Sequence, residues 1–243
     1  MNVRGFIHAL QFLTRLPTPG ARDSEPDDLP RSAVWFPIVG AIIGLALVAT
    51  VWAGSYISPW IGALLGLLVW VWITGALHLD GLADVADALG ATHRSPDRFI
   101  EVAHDPHVGA YGVIAIVLQL VAKLVLLVPV AASQSLLALL LVPAWARWGP
   151  LVWRLLVPPL SKGMGERFSH NVNVGAIAIY GLALTLISAF LAPVLIAALV
   201  IIFAVAAYWN YRLGGLTGDC LGASIEVTET ALLFLIALTI AWV

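Results

Sequence analysis

Seven apolar stretches, each close to the length that crosses a bilayer, follow one another along this chain of 243 residues. They cover residues 33–54, 60–78, 110–131, 136–157, 174–190, 193–210 and 227–243. A hydrocarbon core of roughly 30 Å takes about 20 apolar residues in a helix, and inside lipid a spanning segment must satisfy its own backbone N–H and C=O groups. The expected fold is therefore all-α, a polytopic transmembrane helix bundle of about seven spans. A mean hydropathy of +0.97 agrees, because a water-soluble core of this size does not need it. Phe6, Leu10 and Leu13 recur at helical spacing ahead of the first stretch, which predicts an N-terminal amphipathic helix lying at the interface. The apolar run 5–13 is short, is followed by Arg15 and Pro17, and has no small-residue cleavage pattern, so no removable signal peptide is expected. Residues 1–243 read as one integral membrane domain.

Charge sets the orientation. With the N-terminus inside, the inner segments are 1–32, 79–109, 158–173 and 211–226, and they hold nine of the twelve Lys and Arg residues while the outer loops hold none. This predicts a multi-pass protein of the cell inner membrane. The other three cations, Lys123, Arg147 and Arg154, fall within spans, where each needs a polar partner or a cavity. All fourteen Asp and Glu residues are also placed on the inner side, so the chemistry is expected at the cytoplasmic face. An ion-coupled transporter would instead keep acids near the bilayer midplane. A net charge of −2 offers no general attraction to nucleic acid, and a single cysteine, Cys220, makes no internal disulfide.

The densest polar signal is the run from Ala76 to Asp87, in which Asp80, Asp84 and Asp87 are spaced i, i+4, i+7. On a helix these carboxylates share one face, where like charges repel unless a cation sits between them. Carboxylate oxygens suit Mg²⁺, with Mn²⁺ as the alternative. A solvated acidic face is the simpler reading, but Leu82, Ala83, Val85 and Ala86 between the acids are apolar and no basic residue interleaves. Downstream, Ser95 and Pro96 announce a short helix that should stop before Pro106. Past its end His104 and Asp105 bring a further imidazole and carboxylate, with Arg94 and Arg98 nearby as phosphate contacts. Near the last inner loop, glycines 214, 215, 218 and 222 surround Thr217 and Asp219, with Glu226 seven residues beyond Asp219. Amides there can approach a phosphate closely, although small residues also serve helix packing in membranes. The inner-face catalytic loops are thus expected at about 79–109 and 211–229.

These blocks resemble the cobalamin synthase (adenosylcobinamide-GDP ribazoletransferase) family. The resemblance is carried by Phe12-Leu-Thr-Arg-Leu-Pro17, Trp35-Phe-Pro-Ile-Val-Gly40, Gly75-Ala-Leu-His-Leu-Asp-Gly-Leu-Ala-Asp84 with Asp87, Asp105 with Gly109 and Gly112, and Gly214-Gly-Leu-Thr-Gly-Asp219 with Glu226 and Glu229. It implies a membrane transferase that joins adenosylcobinamide-GDP to α-ribazole or its phosphate and releases GMP, a late step in cobalamin biosynthesis. Under that reading Asp80, Asp84, Asp87 and Asp105 hold Mg²⁺, and Asp84 or Asp105 acts as the catalytic base. Arg15, His78, Arg94, Arg98, His104, Lys123, Thr217, Gly218, Asp219 and Glu226 are the expected substrate contacts. Cys220 stands where the family often has threonine, and His104-Asp105-Pro106-His107 replaces a more usual Arg-Asp-Ser. The CDP-alcohol phosphotransferases use clustered aspartates for similar chemistry, but their Ala-Arg after the first Asp-Gly and their second Asp-x-x-x-Asp run are missing from this chain.

Overall fold

A computed structural model describes residues 3–18, 32–91, 96–133, 135–160 and 174–241. Among them ten α-helices run in the order α1 Val3–Leu13, α2 Phe36–Ser55, α3 Pro59–Thr74, α4 Leu77–Ala91, α5 Pro96–Ala103, α6 Ala110–Ala132, α7 Leu141–Leu156, α8 Val174–Leu191, α9 Ala198–Arg212 and α10 Gly218–Ala241. Short 3₁₀ turns, Ala33–Trp35, Leu136–Leu140 and Pro193–Ala197, lead into α2, α7 and α9. The bundle is all-α and polytopic. Six of its helices are long and apolar enough to cross a membrane, and α3 joined to α4 passes the same test only as a pair bent by 86°.

That bend corrects the expected second span, 60–78. Helix α3 stops at Thr74, where Gly75 (φ +61°) closes it by donating its N–H to the carbonyls of Trp72 and Val71. Ala76 is left-handed as well (φ +60°), a conformation that disfavours a residue with a side chain. Two consecutive left-handed residues turn the chain sharply, so α4 leaves the line of the span and lies across the end of the bundle. The Phe-Leu-Thr-Arg-Leu block is laid over this elbow, with the Arg15 N–H donating to the Ile73 carbonyl at 2.7 Å.

The last span also begins earlier than expected, at Gly218 instead of 227. Hydropathy missed its first turns because Asp219, Ser224 and Glu226 sit there. Thr217 starts the helix, its Oγ1 accepting the Cys220 N–H at 3.2 Å. The stretches expected as inner loops, 79–109 and 211–229, are therefore largely helical.

Helix α7 forms the centre, with every residue from Leu141 to Trp153 buried. Its tryptophans tie the neighbours on: Trp145 Nε1 donates to Ser188 Oγ, Trp148 Nε1 to the Ile177 carbonyl and Trp153 Nε1 to the Ile202 carbonyl, at 2.9–3.0 Å. Peripheral helices are polarised the other way from a soluble protein. On α6, Val113, Ile114, Val117, Leu118 and Val121 face outward while Gln119 and Lys123 face in, as a lipid-facing helix requires. Helix α1 buries His8, Ala9 and Leu13 while leaving Val3 exposed, and Phe12 stacks on Phe36 of α2.

Close backbone approach sets the contact of α2 with the 3₁₀ turn that leads into α7, since a β-carbon added to Gly44 would stand 2.5 Å from the Leu140 carbonyl oxygen. Backbone cannot rotate away as a flexible side chain does. Gly44→Val is expected to destabilise the bundle by about 1–3 kcal/mol, read as a lower melting temperature in detergent beside Leu45→Val on the exposed face.

Candidate active site

The site is built where α4 crosses the start of α10. Gly81 faces the Asp219 backbone, where an added β-carbon would lie 3.0 Å from the carbonyl oxygen, and Gly222 faces the Cα of His78. Small residues on both helices let the backbones meet. Asp80, Asp84 and Asp219 are brought together as a result, Asp80 exposed and the other two partly buried. Burial first, and then the charges of Asp80, Asp219 and Asp87, push the Asp84 carboxyl up to about 6, with His104 acting in the opposite direction. Such crowding of carboxylates is a standing demand for positive charge.

The other two expected acids have hydrogen-bond partners of their own. Asp87 caps α6: its oxygens accept the Gly109 N–H at 2.8 Å and the Gly112 N–H at 2.9 Å. A carboxylate at a helix N-terminus meets free amides and the positive end of the helix dipole, which accounts for this choice. Asp105 is exposed and closes its own turn, taking the His107 N–H at 2.9 Å and the His107 ring at 2.7 Å. Those hydrogen bonds hold its carboxyl below the usual range. Short Asp side chains are readily captured by the backbone two residues on. His104 is exposed and within electrostatic reach of Asp84. Arg98 is paired with Glu101 at 2.7 Å on α5, and Arg94 lies outside the described residues.

A cavity of about 250 Å³ opens beside the acids, with His78, Asp80, Gly218 and Asp219 on its wall and Phe12, Phe36 and Ile225 among its apolar lining. Arg15 is exposed at the elbow, its side chain laid against Gly75.

Two expected substrate contacts, Lys123 and Glu226, are instead given to each other. Lys123 Nζ donates to Glu226 Oε2 at 2.7 Å and to Glu229 Oε2 at 2.5 Å, all buried. Gln119 Nε2 donates to Glu226 Oε2 at 2.8 Å, Arg147 pairs with Glu229 Oε1, and the Lys123 ammonium stands 4.2 Å from the Trp70 ring centroid. Two cations and two anions balance. Glu229 is eleven residues into α10, about 16 Å along its axis at 1.5 Å per residue. The expectation that all acids stay at helix ends fails for this pair, because α10 starts early and its neighbours supply counter-charges. The charges desolvated together there are satisfied by one another. Glu229 and Arg147 were legible only as a motif residue and as an intramembrane charge in search of a partner.

Comparison with known proteins identifies the family. A family profile described as Cobalamin-5-phosphate synthase matches residues 5–237. A protein of Thiobacillus denitrificans named adenosylcobinamide-GDP ribazoletransferase is 49% identical over 240 residues, covering 98% of this chain and 97% of its own. Relatives with the same name from Novosphingobium aromaticivorans and Brevibacillus brevis are 47% and 35% identical, each over at least 96% of both chains. No solved structure matches. With the match running from the first helix into the last span, the chain belongs to the cobalamin-5-phosphate synthase family.

Proposed function

We propose that this chain joins adenosylcobinamide-GDP to α-ribazole or its phosphate and releases GMP, at the end of the bundle where Asp80, Asp84 and Asp219 meet. The observation that carries the reading is this carboxylate group beside a cavity, in a chain of this family. A ribose hydroxyl forms a new bond to the phosphorus on the corrinoid side, the bond from that phosphorus to the bridging oxygen breaks, and that oxygen leaves with GMP. The hydroxyl proton must go to a base. Asp84 suits that role: it is partly buried, closes no helix cap and joins no ion pair among the described residues. Asp105, already satisfied by its own turn, does not.

A magnesium ion fits the donor set. Among the described residues no three His, Cys, Asp or Glu side chains converge as a closed metal site. Mg²⁺, however, is commonly held by one or two carboxylates, substrate phosphates and water. Asp80 and Asp219 would hold it, and when bound it neutralises pyrophosphate charge. Arg15, exposed at the elbow, adds a fixed positive charge for a phosphate oxygen. The positive-inside rule assigns this end of the bundle to the cytoplasm, since Arg15 lies at the elbow, Arg98 on α5 and Arg212 at the end of α9 just before α10.

The test is GMP release by full-length protein in detergent. Release is expected only when adenosylcobinamide-GDP, α-ribazole and Mg²⁺ are all present, and chelation should abolish it. Release without α-ribazole would mean hydrolysis and overturn the transfer, and release that survives chelation would remove the metal.

A further inference from the structure

We propose that the cavity beside Asp80 and Asp219 seats the base of ribazole, a flat and largely apolar two-ring heterocycle, and that His78 grips its one acceptor nitrogen. The proposal rests on the function proposed above and specifies which part of which substrate enters the bundle.

Size removes one candidate. At about 250 Å³ the cavity falls below the roughly 300–1,000 Å³ of sites for drug-sized ligands, so it takes one compact ring system and no corrin macrocycle. Chemistry separates the rest. The wall is mostly apolar, with Phe12, Leu13, Phe36, Leu77, Leu221 and Ile225 on it. Guanine and adenine carry exocyclic amino or carbonyl groups and several ring nitrogens, and each left unpaired against such a wall costs about 1–3 kcal/mol. The methylated benzimidazole of ribazole has no exocyclic polar group. Once bonded to ribose it keeps a single acceptor nitrogen. Phe12 and Phe36 lie nearly parallel, with centroids 5.9 Å apart and planes at 15°, and present aromatic surface to a flat ring.

His78 supplies the matching donor. Its Nδ1 lies 3.4 Å from Arg147 Nη2. A guanidinium only donates, so Nδ1 carries a lone pair and the ring proton resides on Nε2. Arg147 is itself fixed by Glu229 and by the Pro143 carbonyl at 3.3 Å. The buried ion group thus positions the imidazole with its N–H edge left for the cavity. With the base seated there, the ribose emerges beside Asp80 and Asp219, where its hydroxyl is needed.

The experiment measures kcat/KM of the full chain in detergent for three α-ribosides, carrying dimethylbenzimidazole, adenine, or a phenolic ring without a nitrogen. Wild type is expected to prefer dimethylbenzimidazole over adenine by about 10–200-fold. His78→Leu should lower kcat/KM by about tenfold or more for the benzimidazole riboside while sparing the phenolic one, and His78→Gln, which restores an N–H donor, should recover most of the loss. The KM for adenosylcobinamide-GDP should stay unchanged. Equal losses for all three ribosides in His78→Leu, or a raised KM for adenosylcobinamide-GDP alone, would overturn the assignment. So would a wild-type enzyme indifferent to the base, a result that needs no variant to fold. If no riboside supports GMP release, the transfer reaction itself falls, which is a different outcome from lost discrimination.

Discussion

Asp84→Asn is expected to lower GMP release by roughly 10²–10⁴-fold, the usual contribution of a positioned proton acceptor, while the protein melts at the wild-type temperature. The two halves of that result come from different features. Asn fills the same volume and Asp84 caps no helix, so packing is preserved. The charge removed stands among Asp80, Asp219 and Asp87, whose repulsion the folded state already bears, so losing it costs no stability. Asp105→Asn is the informative partner. Asp105 is exposed and held by His107, and its substitution should leave release near the wild-type rate. If Asp105→Asn abolished release and Asp84→Asn did not, the base would have to be sought on the α5–α6 turn.

The largest effect on stability is expected at Glu229. Glu229→Ala leaves Arg147 and Lys123 buried with Glu226 as their remaining carboxylate, and breaking a buried pair from one side costs about 3–5 kcal/mol. Poor yield of monodisperse protein, or a large drop in melting temperature, is the expected measurement. Lys123→Met alone should also be severe, because Glu226 and Glu229 then face each other without their shared cation. Lys123→Met combined with Glu226→Gln removes one charge of each sign and should cost less than the sum of the two single changes, a coupling that a double-mutant cycle reads directly. A Glu229→Ala protein that melts like wild type would show that these charges are hydrated instead of paired. Because Arg147 also fixes His78, a milder Glu229→Gln variant that still folds should lose discrimination between ribosides before it loses stability.

Much of this was written in local sequence. Runs of about 20 apolar residues fixed the number and place of most spans, since burial in lipid is decided residue by residue and needs no knowledge of neighbours. The i, i+4, i+7 spacing of Asp80, Asp84 and Asp87 likewise depends only on helical period, and Pro96 begins α5 as its fixed φ favours. Residues 218–226 were expected as a loop because Asp219 and Glu226 are polar, and Lys123 was expected at a substrate phosphate under the family resemblance, whereas the structure gives it Glu226 and Glu229 as buried partners.

What only tertiary structure decided is which charge meets which. Lys123 finds Glu226 at a separation of 103 residues, and Asp87 leaves its helical companions for the amides of Gly109 and Gly112. In a bilayer a charge is tolerated where packing delivers its counter-charge. Close helix packing, as at Gly81 and Gly222 between α4 and α10, sets that delivery. Sequence by itself thus determined that the chain spans a membrane and bears an acidic helix face. Tertiary packing determined that Lys123, Glu226 and Glu229 pair with one another while Asp84 and Asp219 join no ion pair among the described residues, because pairing energy depends on distances that no local pattern contains.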